Sequence, residues 1–315
     1  MLGGSVILLA IVLAACGSAN VVPTSNASAP VAVASPSAGA DSSPSAGPSA
    51  LPSPTATATA SPSATPSPTP SPTAVPALAL SHCAGKAGTA SSSRFNNTQK
   101  YFAGLLDATT SKTVTCVEAS WVQPAITCAA GDTKSDVVIF VGIGGTDGKG
   151  TTGSHERPEE TASEGFCDNG IPTYIAWTYS VQKTNGFKQA PFFVSAHDVM
   201  WGEVRASGHS FKMTIADLTT RQIVTVAATV KDAIREDAQW SVEAPEYGCP
   251  KKCVAGPLAK FAPIVFTGAD AVINGTLQTV DRWPRQTTTM ATGSLKRVTI
   301  SGVAKGTFTA TWHHK

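Results

Sequence analysis

The chain has 315 residues, 14% of them charged, and a formal net charge of +2 at pH 7. These averages describe neither half: residues 17–80 hold 13 of the 22 prolines and one charged residue, Asp41, while every Lys and Arg lies from residue 81 onward. The charged part carries both signs interspersed with a slight basic excess, which excludes an electrostatic case for nucleic acid.

The first predicted element is the apolar run over residues 5–15, Ser-Val-Ile-Leu-Leu-Ala-Ile-Val-Leu-Ala-Ala. It is too short to span a bilayer and has the length of a signal-peptide core. The run ends at Cys16, and Leu13-Ala14-Ala15-Cys16 resembles a bacterial lipobox, although no Lys or Arg precedes it. Residues 1–16 are therefore expected to be a lipoprotein signal peptide, with Cys16 as the lipid attachment site; the alternative is an ordinary secretory signal. An acylated Cys16 would anchor the protein outside the cytoplasmic membrane. Residues 17–80, rich in Pro, Ser, Ala and Thr, cannot bury enough apolar surface to offset their ordering entropy and read as a disordered spacer. Residues 81–315 remain as the folded domain.

Six cysteines follow Cys16: Cys83, Cys116, Cys128, Cys167, Cys249 and Cys253. An even number in an exported domain predicts up to three disulfides, whose connectivity the sequence leaves open. Cys249-Pro-Lys-Lys-Cys253 is the favoured local pair. As a metal site, a lone Cys-x3-Cys is weak, so no metal is expected.

From residue 94 onward, apolar residues recur with period two. Phe211, Met213 and Ile215 alternate with polar residues, as do Trp240 and Val242, and then Phe308, Ala310 and Trp312. Fuller apolar runs at 137–141 and 223–230 predict central strands buried on both faces. At most one or two helical turns are expected, over 230–238. Many short strands punctuated by turn residues predict an all-β, two-sheet antiparallel β-sandwich.

Common catalytic motifs are absent or incomplete. There is no Gly-x-Ser-x-Gly elbow, and Gly148-Lys149 lacks the flanking residues of a phosphate loop. His155-Glu156 lacks the second His of a zincin helix, which Pro158 would break in any case. His313-His314 reads as a solvated tail. Asp198 and Asp217, beside strand ends, are expected to satisfy turns.

Five segments in series carry a more specific signal. They are Ala119-Ser-Trp121-Val-Gln123-Pro124, Val137-Val-Ile-Phe140-Val-Gly142-Ile-Gly-Gly145, Tyr174-Ile-Ala176-Trp177, Ala238-Gln-Trp240-Ser-Val242-Glu243-Ala244-Pro245, and the strand from Leu258 to Thr267. Together they resemble the glutamic peptidases, or eqolisins, over roughly residues 94–315. The resemblance implies a lectin- or glucanase-like sandwich in which a Gln and a Glu on neighbouring strands hold the attacking water. The Glu serves as general base and then acid, and the Gln amide stabilises the oxyanion.

On this resemblance the catalytic Glu falls on Glu243, and strand geometry turns it away from the face of Trp240 and Val242. The Gln position falls on Glu160, with Glu156 as a competing alignment. A Glu replaces the amide as a donor only when protonated, and two neighbouring carboxyls do not both ionise easily, so one keeps its proton. Trp121, Gln123 and Trp177 are expected to line the substrate cleft; burial of the tryptophans in the core is the competing expectation.

The resulting expectation is a cell-surface acid endopeptidase with a polypeptide substrate, no cofactor, and a membrane link only through its lipid. It is expected to be a monomer, lipid-anchored or secreted. The alternatives are a catalytically inactive carbohydrate- or peptide-binding module and, more distantly, a glycoside hydrolase using Glu160 and Glu243. For that last reading the separation of the two carboxyls is diagnostic.

Overall fold

Alternating apolar and polar residues govern the folded part, and the described residues form strands and turns with no helix. The computed structural model describes residues 80–91, 93–108, 113–144, 159–180, 189–230, 235–247 and 254–314. Cys16, the spacer up to residue 79, Glu156, and Cys249 with Cys253 lie outside the described residues.

In chain order the strands are β1 (Lys86–Ala87), β2 (Arg94–Gln99), β3 (Phe102–Ala108), β4 (Val114–Val122), β5 (Ile126–Thr127), β6 (Asp136–Gly144) and β7 (Glu159–Asp168). Next come β8 (Ile171–Tyr179), β9 (Gln189–Phe193), β10 (Val199–Ser207), β11 (Ser210–Asp217), β12 (Gln222–Thr229), β13 (Asp237–Glu243) and β14 (Glu246–Tyr247). The last are β15 (Val254–Ala255), β16 (Lys260–Phe261), β17 (Ile264–Ile273), β18 (Thr276–Thr279), β19 (Arg285–Thr292), β20 (Leu295–Ala304) and β21 (Thr307–Trp312).

Seventeen strands join one hydrogen-bonded sheet, while β14–β15 and β5–β16 form small separate pairs. Neighbours follow the order β9-β8-β7-β6-β13-β3-β19-β20-β21-β17-β4-β10-β11-β12. The sheet curls back on itself, so that a front layer (β9 to β3) faces a back layer (β17 to β12) and β19–β21 turn the corner. The two layers expected of a sandwich are thus halves of one curled sheet. Its strand pairs are antiparallel apart from β1–β18 and β2–β19.

Strand parity decides what faces the core. Ala238, Trp240 and Val242 of β13 and Val137, Ile139, Val141 and Ile143 of β6 point inward from the front layer. They meet Val117, Ala119 and Trp121 of β4, Met200 and Val204 of β10, and Phe211, Met213 and Ile215 of β11. Buried tryptophans need a partner for the indole N–H, and both find one across the layers. Trp240 Nε1 donates to the Glu118 carbonyl at 2.9 Å, and Trp121 Nε1 donates to Ser163 Oγ at 2.8 Å. Phe266 and Phe308 stack at 4.5 Å between centroids where the sheet turns.

The two apolar runs behave differently. β6 is buried on both faces, as its sequence predicts. β12 pairs with β11 alone among the described residues and is largely exposed outward, with only Val224, Val226 and Ala228 packing on the core. Its β-branched residues reflect strand propensity at an edge, not a central position.

Two disulfides, Cys83–Cys116 and Cys128–Cys167, close loops with sequence separations of 33 and 39. Closures of this size restrict the unfolded chain by about 3–4 kcal/mol each. The first ties the entry segment, residues 80–91, to the outer face of the back layer. There the Cys83 N–H donates to Glu118 Oε1 at 3.0 Å, and Arg205 Nη2 donates to the carbonyls of Ser81 and His82. Asp198 and Asp217 take the turn roles expected of them: Asp198 Oδ2 accepts from the Ser195 N–H, and Asp217 Oδ1 accepts from the N–H groups of Thr219 and Thr220.

Candidate active site

The outer face of the front layer is lined by the residues of opposite parity to the core. On β13 these are Asp237, Gln239, Ser241 and Glu243; on β7 they are Glu160, Ala162 and Glu164. Val138 and Phe140 of β6, Ala162, and Trp177 and Tyr179 of β8 pack into a second apolar cluster on this face, with Ile175 against it. Polar side chains can stand here because the cluster holds them and gives them partners.

Cross-strand register orders the face into rows. Glu243 pairs with Val138, Val138 with Glu164, Glu164 with Ile175, and Ile175 with Phe193. Phe102 of β3 pairs with Glu243 on its other side. One row therefore reads Phe102–Glu243–Val138–Glu164–Ile175–Phe193. Ser241, Phe140, Ala162 and Trp177 form the next row, and Leu106, Gln239, Gly142, Glu160 and Tyr179 the one beyond it.

The expected partnership of Glu160 with Glu243 is not what the register gives. Glu160 stands two strands and four residues away, about 16 Å between backbones from strand spacing and rise, too far to share one water. A glycosidase pair made from these two groups would have to span the same backbone separation. The acid in line with Glu243 is Glu164, only 4% exposed, whose Oε2 accepts from Trp177 Nε1 at 2.7 Å. Glu243 is half-buried, the more open of the two. Glu160 and Glu164 share strand parity, so alternation alone does not separate them. The missing signal was the register of β7 on β6, which strand parity does not carry.

Of the three residues expected to line a cleft, Trp177 lies on this face. Trp121 does not: it is 1% exposed in the core between the layers. Gln123 is also fully buried, its backbone N–H bonded to the Asp198 carbonyl and its carbonyl accepting from the His197 N–H. Buried side chains of this kind support the fold rather than touch a substrate. Elsewhere on the face, Gln239 Nε2 donates to Asp237 Oδ1 at 2.8 Å. Among the described residues, the one grouping with metal-ligand spacing is Cys83, Cys116 and Glu203, and both of its sulfurs are taken up in the disulfide.

The outer face of the curled sheet thus carries Glu243 and Glu164 in one cross-strand row, and comparison with known proteins gives the family. Residues 100–312 match the Peptidase A4 family. The chain belongs to the peptidase A4 family, the glutamic-type endopeptidases or eqolisins. The fold is similar to that of scytalido-glutamic peptidase solved with a peptide-based transition-state analogue, at TM-score 0.56 and 20% identity, over 68% of this chain and 99% of that one. It is similar also to SCP-B, a member of the eqolisin family solved with the tripeptide Ala-Ile-His, at TM-score 0.55 and 20% identity, over 68% and 99% of the two chains. Aspergilloglutamic peptidase from Aspergillus niger aligns at TM-score 0.48 and 24% identity, over 57% and 100%. By sequence, no curated protein matches the chain. Two disulfides and a family of secreted peptidases point to an extracytoplasmic protein.

Proposed function

We propose that this protein is an acid endopeptidase, tethered at the cell surface through Cys16, that cuts peptide bonds with a water held between Glu243 and Glu164. The observation that carries this is the row in which Glu243 and Glu164 stand on either side of Val138, about 10 Å apart at the backbone. Two glutamates facing the same way at that spacing can lean over the intervening valine and share one water. Trp177 Nε1 donates to Glu164 Oε2 at 2.7 Å and so ties that carboxyl to the apolar cluster on this face.

The chemistry follows from the two protonation states. Glu243, ionised, takes a proton from the water, and the water oxygen attacks the carbonyl carbon of the scissile bond. Glu164, protonated, donates its O–H to the oxyanion that forms, the part played by the family's Gln amide. Glu243 then passes its proton to the departing amide nitrogen as the C–N bond breaks. Because this cycle uses one carboxyl as a proton donor and the other as a base, activity belongs to the acid range.

Cleavage of a denatured protein by the purified chain at about pH 3 to 4 tests this. Glu243→Gln should lower turnover by about a hundredfold to ten-thousandfold. Glu164→Gln should retain activity and extend it toward neutral pH, since an amide donates without needing protonation. Glu160→Gln should behave like the wild type. Undiminished cleavage by Glu243→Gln would sink the peptidase reading, while loss of cleavage in Glu160→Gln alone would return the second role to Glu160.

A further inference from the structure

We infer, resting on that peptidase reading, that Phe193 is a specificity residue: an apolar platform for a substrate side chain three or four positions from the bond that is cut. Phe193 is 76% exposed, more than any other large apolar side chain among the described residues. Scattered exposed apolar residues are ordinary and need no explanation; what distinguishes Phe193 is its place. It pairs with Ile175 and therefore stands on the face that carries the acids, whereas its neighbour Phe192 turns inward and packs against the core. It closes the row that begins at Phe102 and passes through Glu243, Val138, Glu164 and Ile175.

The row sets the length scale. A bond cut above Val138 lies three strands from Phe193, about 14 Å, which an extended peptide covers in about four residues. A substrate crossing the strands along this row meets acids at its centre, Phe102 on one side, and Ile175 and then Phe193 on the other. β9 is the outermost strand here, paired among the described residues with β8 alone, so the phenylalanine meets the substrate at the rim. Phe95, 58% exposed, supplies an internal comparison. It sits at the opposite edge, at the end of the row through Gln286, Leu106, Gln239 and Gly142 to Glu160, not of the row through the acid pair.

The test uses the full chain and a set of peptides sharing one cleavable bond, with Leu or Ser at the third and fourth positions on either side of it. Wild type should prefer Leu at one of these positions by about 5- to 20-fold in kcat/KM. Phe193→Ser should erase that preference through KM with kcat kept, Phe193→Leu should restore it, and Phe95→Ser should leave it intact. The variants change exposed side chains, so folding is not at risk. A preference that survives in Phe193→Ser, or a wild type indifferent to these positions, overturns the assignment while leaving the peptidase reading standing. A wild type that cleaves nothing, or a Glu243→Gln that cleaves as well as wild type, overturns both.

Discussion

At the scale of single residues, Trp177 joins the apolar cluster of the front face to one of the two acids of the proposed site. Its ring belongs to the apolar cluster with Val138, Phe140, Ala162 and Tyr179, and its Nε1 donates to Glu164. Trp177→Phe keeps most of the ring volume and removes the donor. With Glu164 acting in its protonated form the bond is a neutral one, worth about 0.5–1.5 kcal/mol, so kcat should fall about 2- to 10-fold while KM changes little. A fall in the midpoint with kcat retained would make Trp177 a packing residue only. In the sequence Trp177 and Trp121 carried the same signal, an aromatic in a strand motif, and the fold divides them. Parity settled the face of Glu243 in advance, because it depends on β13 alone. Glu164 was not legible, since choosing between two glutamates of equal parity requires the register of another strand.

At the scale of elements, the site depends on how closely β3 lies against β13. Gly104 pairs with Ser241, and a Cβ there would come within 2.2 Å of the Trp240 carbonyl oxygen and 2.8 Å of Ser241 Cα. These are backbone atoms, which cannot swing aside as the end of a side chain does. Gly104→Ala should cost about 1–3 kcal/mol of stability, read from the denaturant midpoint, and should lower activity as well because Glu243 ends the same strand. A midpoint equal to the wild type would show that the two strands part without penalty. Strand identity was readable from period-two patterning in β11, β13 and β21, whose inward residues Phe211, Trp240 and Phe308 are all buried. Position within the sheet was not. β6 and β12 have similar apolar runs, and only the pairing partners make one central and the other an edge.

At the scale of the whole folded domain, the entry segment and the candidate site occupy opposite outer faces, one on the back layer and the other on the front. The back-layer contact contains a group whose titration tests how the fold meets acid. Burial raises the Glu118 pKa above the ordinary carboxylate value, with nearby Glu203 adding to this, while the hydrogen bonds from His82 and the Cys83 N–H pull it the other way. A pKa higher in the folded than in the unfolded state means the folded protein holds the proton more tightly. The stabilisation is then full below the unfolded pKa and is lost as the pH rises through the folded one. Glu118 thus favours the fold in acid, the range in which a carboxyl-dependent peptidase works. Glu118→Gln removes the ionisation and keeps an oxygen for the Cys83 N–H, while its amide nitrogen replaces the Oε2 that accepts from Trp201 Nε1 at 3.3 Å, a pH-independent change in packing. Its thermal midpoint should exceed that of the wild type by about 2–4 °C at neutral pH, and the difference should close as the pH falls toward 4. A difference that stays constant with pH would assign the effect to packing around Trp201 and His82 instead. One that reverses sign at neutral pH would show that the His82 contact, 2.9 Å from Glu118 Oε2, outweighs the cost of burying the charge.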